Sequence, residues 1–562
     1  MYLSYDIKGI QQFIYSIPRL KCMIGASSQI VEFDKFCEEQ AKRDPTITRI
    51  FSAGGHGAFA LSSQKGAATL EEVLIREAHR VGLDLRTGIE KTLTEAVRGA
   101  VRLHPFVPKV KDMEGPPCSV SALWPVGKSK RPHRLVQKRV TAANNDALGK
   151  ALLGSMREEI CKILQPDSEL QFFRNVSPEA IAEEDDDPES VAVDEQRARA
   201  GFTALGGRNR WAVVALDGND LGRHFEALEE SDSQDLPQRL ALVSESVSKV
   251  TSDALKSAIL DAIQRWKSYC HPDLRQCSYD FKGKRHLVLP IRPVICGGDD
   301  VVILMHSTLA MPFVEKMAEE FAAQSQVESA RVLKQHSFDP WKRTGGRLTL
   351  SAGVLYCKSS LPLHIAIPYT ESLVASAKGR FRGFAKENAP SPAAVDWESV
   401  TDSMIDTPAN RRQRESVFVD SESKSCVYLT RRPYLLGDAQ GLDSRLPRLP
   451  RLRSEVIEGE NLDSAPTLLR ALLEAELRNT WSHRKRFLLA LAKDPQWSAL
   501  ARCLDHPSDG RISGKSSRWF TRLEMIGGEP RERMNGARMI QETDVLDALS
   551  LLAEQHRMEQ GG

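Results

Sequence analysis

The chain has 562 residues, of which 41% are hydrophobic and 27% charged, and its formal net charge is +2. This composition is typical of a globular protein of three or four domains, and the near-neutral charge excludes a global nucleic-acid-binding signature. No apolar run reaches the length of about eighteen residues that a membrane span requires, and the N-terminus lacks a signal-peptide pattern, so we expect a cytoplasmic protein without a membrane partner.

The cysteine pattern is typical of a reducing compartment. The ten cysteines are scattered and mostly lie in apolar contexts, as buried thiols do. No C-x-x-C pair occurs, and the six residues between Cys270 and Cys277 are a poor zinc spacing. We therefore expect no structural zinc.

The first 200 residues include a predicted helix and an acidic block, and basic clusters occur both there and nearer the C-terminus. Apolar spacing predicts a helix over 145–164, and the acidic block 183–195 predicts a disordered linker or loop. Basic residues cluster at 128–139, 445–453 and 511–538. Each basic cluster is either a solvated face or a surface that contacts RNA phosphates, and the sequence leaves both interpretations open.

The segment 211–222, WAVVALDGNDLG, combines a buried strand with an acidic, glycine-rich turn. Five apolar residues, Ala212 to Leu216, lead directly into Asp217. Open α/β sheets place ligands where a buried strand ends in such a turn before a helix. A helix over 239–266 is predicted next, from apolar residues spaced three to four apart.

The segment 291–305, IRPVICGGDDVVILM, predicts two strands joined by a tight turn. Its glycines provide the backbone freedom that a two-residue hairpin turn needs. Asp299 and Asp300 at the tip would repel each other unless a divalent cation lay between them and a phosphate. A solvated turn is the alternative interpretation of a GGDD motif taken alone.

The elements after this hairpin complete a recognisable order. A helix over 313–321, a strand over 347–356 and a helix over 363–381 give β-α-β-β-α-β-α, the order of a ferredoxin-like palm. We expect Asp217, Asp299 and Asp300 to converge at one edge of its sheet. Three carboxylates placed there are suited to two-metal phosphoryl transfer.

Several motifs together resemble one family. They are the N-terminal LSYDIKGIQQFIY (3–15), FSAGGHGAF (51–59), DGNDLG, GGDD and SAGV, then Ala377-Lys378 and TRRPY (430–434). In this order, over roughly residues 1–440, they resemble the large polymerase–cyclase subunit of type III CRISPR–Cas effector complexes, the Cas-ten (Cmr-two/Csm-one) family. GGDD alone is shared with diguanylate cyclases, whereas the paired palms are more specific.

The resemblance implies a fold and an activity. Two palms would pack face to face with two ATP molecules between them, and the GGDD palm would join these into cyclic oligoadenylates for antiviral defence. The first palm retains Asp6 but has His56-Gly57 in place of the hairpin acids, so we expect it to hold a nucleotide without catalysing.

The expected site follows from the motifs and the resemblance. Asp217, Asp299 and Asp300 are the predicted catalytic residues and the ligands of two Mg²⁺ or Mn²⁺ ions. Lys378 would pair with the terminal phosphates, although a solvated helix-end lysine is equally compatible with the sequence. The predicted nucleotide-binding residues are Gly218, Asn219, Asp220, Gly222, Gly297, Gly298, Ser351, Lys378, Gly54 and Gly55.

The predicted fold class is α+β, with two ferredoxin-like palm domains and helical connecting and C-terminal domains. We assign 1–105 to the first palm, 106–205 to the connecting region, 206–440 to the GGDD palm and 441–562 to the helical C-terminal domain. The expected partners are ATP, other CRISPR effector subunits, and guide and target RNA bound through the effector complex.

Many family members begin with an HD nuclease domain, and no His-Asp dipeptide precedes the first palm here. We therefore expect the form without that domain, and no cleavage of single-stranded DNA by that route. Two other functions stay open: a cyclic dinucleotide synthase with another base preference, and a scaffold subunit with a silent cyclase. The three intact carboxylates argue against the scaffold, since a silent site has no physical reason to retain repelling charges.

Overall fold

The computed structural model describes most of the N-terminal 437 residues and short pieces beyond. The described residues are 1–17, 20–101, 138–139, 142, 152–164, 173–177, 188–206, 210–229, 235–281, 283–359, 361–384, 389–400, 406–415, 417–420, 425–428, 430–437, 448–450, 521–522, 539–542, 547 and 551.

An N-terminal four-stranded sheet has the strand order β2-β3-β1-β4, with every neighbouring pair antiparallel. This is the order of a ferredoxin-like palm. Its elements are β1 (Tyr2–Lys8), α1 (Ile10–Tyr15), α2 (Leu20–Arg43), β2 (Ile47–Ala53), β3 (His56–Leu61), α3 (Gln64–Val81), β4 (Asp84–Glu90) and α4 (Leu93–Val101). We call this unit the first palm.

A second sheet repeats this order and extends it. Its six strands run β15-β12-β11-β6-β10-β9, so the four strands β9-β10-β6-β11 correspond to β2-β3-β1-β4. Its elements are β6 (Arg210–Gly218), α7 (Leu221–Glu229), α8 (Leu236–Arg265), β9 (Ile291–Gly297), β10 (Asp300–His306), α9 (Ser307–His336), β11 (Leu350–Lys358), α10 (Leu363–Phe381), β12 (Ala394–Val400) and β15 (Tyr434–Leu435). We call this unit the second palm. The predicted α+β class with two palms is confirmed.

The remaining described elements connect or flank the palms. They are α5 (Arg157–Leu164), β5 (Phe173–Ser177), α6 (Pro188–Ala204), β7 (Ser278–Phe281), β8 (Lys284–Val288), α11 (Pro408–Glu415), β13 (Val417–Asp420), β14 (Ser425–Tyr428), β16 (Thr521–Arg522) and β17 (Met539–Glu542). Strands β5, β8 and β7 form a small sheet, as do β13, β14, β17 and β16.

Alternation along the central strands gives the second palm two apolar faces. Ala212, Val214 and Leu216 of β6 belong to the core cluster that contains α8 and α9. Val213 and Ala215 point to the other side, into a cluster shared with residues of the first palm and of α10. Since successive side chains of a strand point to opposite faces, this one strand joins both layers. The palms therefore pack against each other through a common apolar core.

A glycine at matching positions lets a helix approach each sheet closely. Gly88 lies opposite Ser4 in the first palm, and Gly353 lies opposite Ala215 in the second. A Cβ at Gly88 would lie 2.2 Å from the Ala96 carbonyl oxygen. A Cβ at Gly353 would lie 2.4 Å from the Thr370 carbonyl oxygen, which belongs to α10. The SAGV motif therefore sets the distance between β11 and α10.

Three segments differ from their predicted bounds. The helix expected over 313–321 runs over Ser307–His336, because buried residues such as Val332 continue its apolar side. The acidic block was predicted to be a loop, but its part from Pro188 onward begins α6. Proline in a first helical turn and acidic residues near a helix N-terminus both favour this start. The helix expected over 145–164 is interrupted by a turn at 155–156: residues 152–154 and Arg157–Leu164 are helical, and 145–151 lie outside the described residues.

The predicted C-terminal helices fall almost entirely outside the described residues. Within the part of the chain that the structure describes, no helix is long and apolar enough to cross a membrane.

Gly353→Ala tests the close approach of α10 to β11. Because the added methyl group meets backbone of α10, we expect a loss of about 1–3 kcal/mol in the free energy of unfolding, typical of overpacking. Gly379→Ala on the same helix is the matched control, since its Cβ would meet no described atom within 4 Å. Thermal or denaturant unfolding measures both variants, and equal stability of the two would contradict this packing.

Candidate active site

The second palm brings its three predicted catalytic carboxylates to one edge. Strand β6 pairs antiparallel with β10, and Val301 lies opposite Leu216. Continuing this register by one residue places Asp300 beside Asp217. Asp299 occupies the hairpin turn, and a Cβ built on Gly218 would lie 3.1 Å from Asp299 Oδ2. A glycine at 218 therefore leaves the space into which the Asp299 carboxylate fits.

The backbone conformation of the GGDD turn agrees with the one expected from its glycines. Gly298 adopts φ 61°, in the left-handed region. Gly297 pairs with Asp300 and closes the turn. A Cβ on Gly298 would meet no described atom within 4 Å, so the outer side of this tip has room for a ligand.

The three acids repel one another where they meet. Burial and, after it, the charges of Asp217 and Asp300 together raise the pKa of Asp299 to about 7. Burial and Asp217 raise the pKa of Asp300 to about 6, against the opposing effect of Lys378. Added positive charge would relieve this repulsion.

Lys378 provides part of that charge. It lies near the end of α10, its Nζ forms an ion pair with Asp217 Oδ2, and it donates a hydrogen bond of 2.8 Å to the Gly218 carbonyl oxygen. Its ammonium therefore lies at the site, directly beside one of the predicted catalytic carboxylates. Three carboxylates and one ammonium leave the centre with an excess of negative charge.

The donor set fits Mg²⁺ or Mn²⁺, which prefer oxygen ligands. Asp217, Asp299 and Asp300 would hold the ions, whose positive charge would offset the burial and repulsion that raise the pKa values of Asp299 and Asp300. Among the described residues, no three His, Cys, Asp or Glu side chains are already arranged as a metal-ligand set.

Two predicted nucleotide-binding side chains form a buried network instead of projecting outward. Asn219 Nδ2 donates to Thr349 Oγ1 at 3.0 Å and to the Pro392 carbonyl oxygen at 3.3 Å. Ser351 Oγ donates to Asn219 Oδ1 at 2.9 Å. These contacts fix the turn that follows Asp217. Any contact of Asn219 or Ser351 with a nucleotide would have to compete with them.

Asp220 is likewise turned inward. It has φ 62°, and its carboxylate accepts hydrogen bonds from the Ser391 backbone N–H at 2.6 Å and from Ser391 Oγ at 2.9 Å. Gly222, in the first turn of α7, lies in open space, since an added Cβ would meet no described atom within 4 Å. The turn therefore offers a ligand the backbone amides of a helix N-terminus, where anions bind favourably.

The first palm has the same backbone with different charges. Asp6 lies opposite His56, in the relation that Asp217 has to Asp300. His56 Nδ1 contacts Asp6 Oδ1 at 2.6 Å, and Lys8 pairs with the other Asp6 oxygen. Although burial opposes ionisation, hydrogen bonds from His56 and Lys8 lower the pKa of Asp6. The cation at this site is supplied by the chain itself.

The register corrects the predicted alignment of the first hairpin by one residue. Ala53 pairs with His56 as Gly297 pairs with Asp300. Gly55 and His56, and not His56 and Gly57, therefore occupy the positions of the two acids. A short loop of similar sequence allows either alignment, and only the strand pairing distinguishes them.

The predicted residues Gly54 and Gly55 form the tip of this hairpin. Both have positive φ, at 65° and 84°. The Gly55 N–H donates to Asp34 Oδ2 at 3.1 Å. A Cβ on Gly297 would lie 3.8 Å from the Gly54 Cα, so the two hairpin tips lie close together.

Sequence reasoning missed residues that support this arrangement. Asp34 also accepts a hydrogen bond of 2.9 Å from Tyr5 Oη, and it lies on the buried side of α2. A single acidic residue within the apolar face of a predicted helix is a sequence pattern by which Asp34 can be found. Tyr15 and Glu371, which join the two palms near Asp300, have no comparable signal.

The predicted basic clusters lie mostly outside the described residues. In the cluster 128–139 the structure describes the last two residues. Arg139 is buried, and its Nη1 donates to Ser16 Oγ at 3.0 Å. Its guanidinium carbon lies 4.2 Å from the Phe13 ring centroid. Arg139 therefore supports the first palm and is not available to RNA.

The fold and the acidic edge define a palm-domain protein of the cyclase-like type. Residues 210–383 match the family model described as Cas10/Cmr2, second palm domain. The match identifies this part of the chain as a Cas10/Cmr2 second palm domain and confirms the resemblance drawn from the sequence. No curated protein sequence matches this chain.

Solved structures are also similar to this chain. The Csm1–Csm4 cassette in complex with cA4 has a TM-score of 0.41 and 16% identity, covering 89% of this chain and 67% of that one. The apo cassette has a TM-score of 0.37 and 15% identity, covering 88% and 64%. The cassette with AMPPNP has a TM-score of 0.35 and 16% identity, covering 67% and 53%. The present chain spans about half to two thirds of these chains.

Divalent cations should stabilise the chain in a pH-dependent way. The folded-state pKa of Asp299, about 7, lies above the unfolded value of about 3.9. The folded state therefore binds more protons between these values, and metal-free stability falls as the pH rises from about 4 to 7. We expect Mn²⁺ to raise the melting temperature at pH 8 much more than at pH 5. At a hundredfold excess over Kd the gain is about 2.7 kcal/mol.

Asp299→Asn should stabilise the metal-free chain at pH 8 and remove most of the Mn²⁺ effect. Asp84→Asn is the control, because Asp84 is an exposed strand-end carboxylate away from the site. An undiminished Mn²⁺ shift in Asp299→Asn would place the ion elsewhere.

Proposed function

We propose that this protein is a nucleotidyltransferase that converts ATP into cyclic oligoadenylates by 3′–5′ phosphoryl transfer. The observation that carries the proposal is the meeting of Asp217, Asp299 and Asp300 at the end of β6, with the pKa values of Asp299 and Asp300 raised. Such a centre favours a bound cation and a phosphate over the ligand-free state.

The chain's own residues have distinct parts in this reaction. The 3′-oxygen of one nucleotide forms a bond to the α-phosphorus of another, and the bond to pyrophosphate breaks. Two divalent ions held by the three carboxylates would activate the hydroxyl and stabilise the charge of the leaving group. Lys378 forms an ion pair with Asp217, and it would pair instead with a terminal phosphate oxygen when ATP binds. In both pairings its positive charge lies close to the reacting groups.

The remaining contacts place the nucleotide. Backbone amides at the N-terminus of α7 would receive the triphosphate, since the side chains of Asn219 and Asp220 are engaged in holding the turn. Gly297 and Gly298 keep the hairpin tip free of side chains where the attacking ribose approaches. Gly54 and Gly55, which face this tip, would hold the second nucleotide on the first palm.

The proposed difference in function between the two palms follows from the charges at their sites. The first palm neutralises Asp6 with His56 and Lys8, so it has little residual charge with which to bind a divalent ion. The second palm retains an excess of carboxylates. We therefore place catalysis in the second palm and nucleotide holding in the first.

The adenine preference, the ring size of the product and the partners rest on the family resemblance. We place the protein in the cytoplasm, in a type III CRISPR effector complex with other subunits, guide RNA and target RNA. A cyclic dinucleotide synthase would use the same carboxylates with another base pocket. A scaffold subunit would not need them.

Asp299→Ala with Asp300→Ala should abolish nucleotide condensation while the chain stays folded, because both residues lie at a hairpin tip outside the apolar core. We expect a loss of at least about a hundredfold, as for other groups that stabilise transition-state charge or hold metal. Asp217→Ala should act similarly. His56→Ala at the corresponding place in the first palm is the matched control and should lower product only modestly. Full product from the double variant would refute the assignment.

The base preference is tested with each labelled NTP and Mn²⁺, with and without target RNA. Cyclic oligoadenylate made only from ATP supports the proposal, and a guanine-containing product supports the dinucleotide alternative. Absence of any product under all conditions, including the assembled complex with target RNA, would favour the scaffold.

A further inference from the structure

A hydrogen-bonded bridge joins the two palms next to the acidic centre. Tyr15, the last residue of α1 in the first palm, donates from its hydroxyl to Glu371 Oε1 at 2.7 Å. Gln11, one turn earlier on α1, donates from Nε2 to the same oxygen at 3.2 Å. Glu371 lies on α10 of the second palm. These contacts connect a helix of one palm to a helix of the other.

The bridge lies close to the catalytic acids. The negative charge of Asp300 contributes to raising the pKa of both Tyr15 and Glu371, although burial is the larger cause for each. A half-buried carboxylate beside another acid needs hydrogen-bond donors, since its desolvation is otherwise uncompensated. Tyr15 and Gln11 are those donors for Glu371.

Helix α10 connects the bridge to the active site. Glu371 and Lys378 are seven residues apart, which is about two turns, so they lie on the same side of the helix. At one end of this side the first palm holds Glu371. At the other end Lys378 contacts Asp217 and the Gly218 carbonyl. A shift or rotation of α10 would move both contacts together.

We propose that Glu371 and Tyr15 are positioning residues, through which the first palm fixes α10 and thereby the place of Lys378 against Asp217. This inference rests on the proposed function and deepens it. The non-catalytic palm then has a second task besides holding a nucleotide, because it determines where the cationic group of the other palm lies.

The test is a double-mutant cycle in the full chain. Tyr15→Phe removes one hydroxyl and keeps the ring, and we expect it to lower kcat/KM for ATP about tenfold, as loss of a hydrogen bond to a charged group does. Glu371→Ala should cost at least as much, and Glu371→Gln should restore most of it, because the amide oxygen still accepts from Tyr15. In a Lys378→Ala background, Tyr15→Phe should have little further effect, since the bridge acts through Lys378.

Tyr369→Phe is the matched control. Tyr369 lies on the same helix, and among the described residues its buried hydroxyl has no hydrogen-bond partner. We expect its kcat/KM to equal that of the wild type. Additive effects of Tyr15→Phe and Lys378→Ala, an unchanged Tyr15→Phe variant, or an equal loss in Tyr369→Phe would each overturn the proposal.

The same cycle measured on binding of a non-hydrolysable ATP analogue with Mn²⁺ separates this inference from the proposed function. If the wild type makes no product, including in the assembled complex with target RNA, the proposed function fails. Coupling between Tyr15 and Lys378 in analogue affinity would still support the bridge. Additivity in analogue affinity would refute it whether or not the chain is active.

Discussion

Repulsion between three carboxylates at one edge of the second palm is the constraint on which the surrounding structure depends. Asp217 is held by Lys378, whereas Asp299 and Asp300 keep raised pKa values because burial and mutual repulsion outweigh the one nearby ammonium. Folding alone would not retain such a group of charges, since neutral residues would be more stable there. The surrounding turn is held by hydrogen bonds, since Asn219 and Asp220 direct their side chains into the protein.

The two palms differ in charge at matching positions and share their fold. Asp6 and Asp217 occupy matching strand positions, as do Gly88 and Gly353, so both sheets and their covering helices have the same geometry. In the first palm, His56 and Lys8 balance Asp6 internally. This substitution removes the need for an external cation while preserving a surface on which the other palm packs.

The sequence predicted those parts of the structure that depend on local pattern. Apolar runs on both sides of GGDD predicted both hairpin strands, and the bounds of α10 agree with the predicted 363–381. Side-chain contacts between distant segments were not predictable, because nothing in the neighbourhood of Ser351 indicates that it donates to Asn219, 132 residues away. The one-residue error in the first hairpin has the same origin: strand register is fixed by pairing across the sheet, and the turn sequence alone does not define it.

The packing and contacts of helix α10 couple the two palms to each other. Gly353 brings the backbone of α10 within contact distance of β11, so the helix cannot move towards or away from the sheet without opening a gap or a clash. Rotation about its axis and sliding along it are the movements that this packing leaves least restricted. Glu371 opposes both, because a carboxylate held by Tyr15 and Gln11 of the other palm fixes one side of the helix. Lys378 lies on that same side, so the charge balance at Asp217 depends on how the two palms are packed.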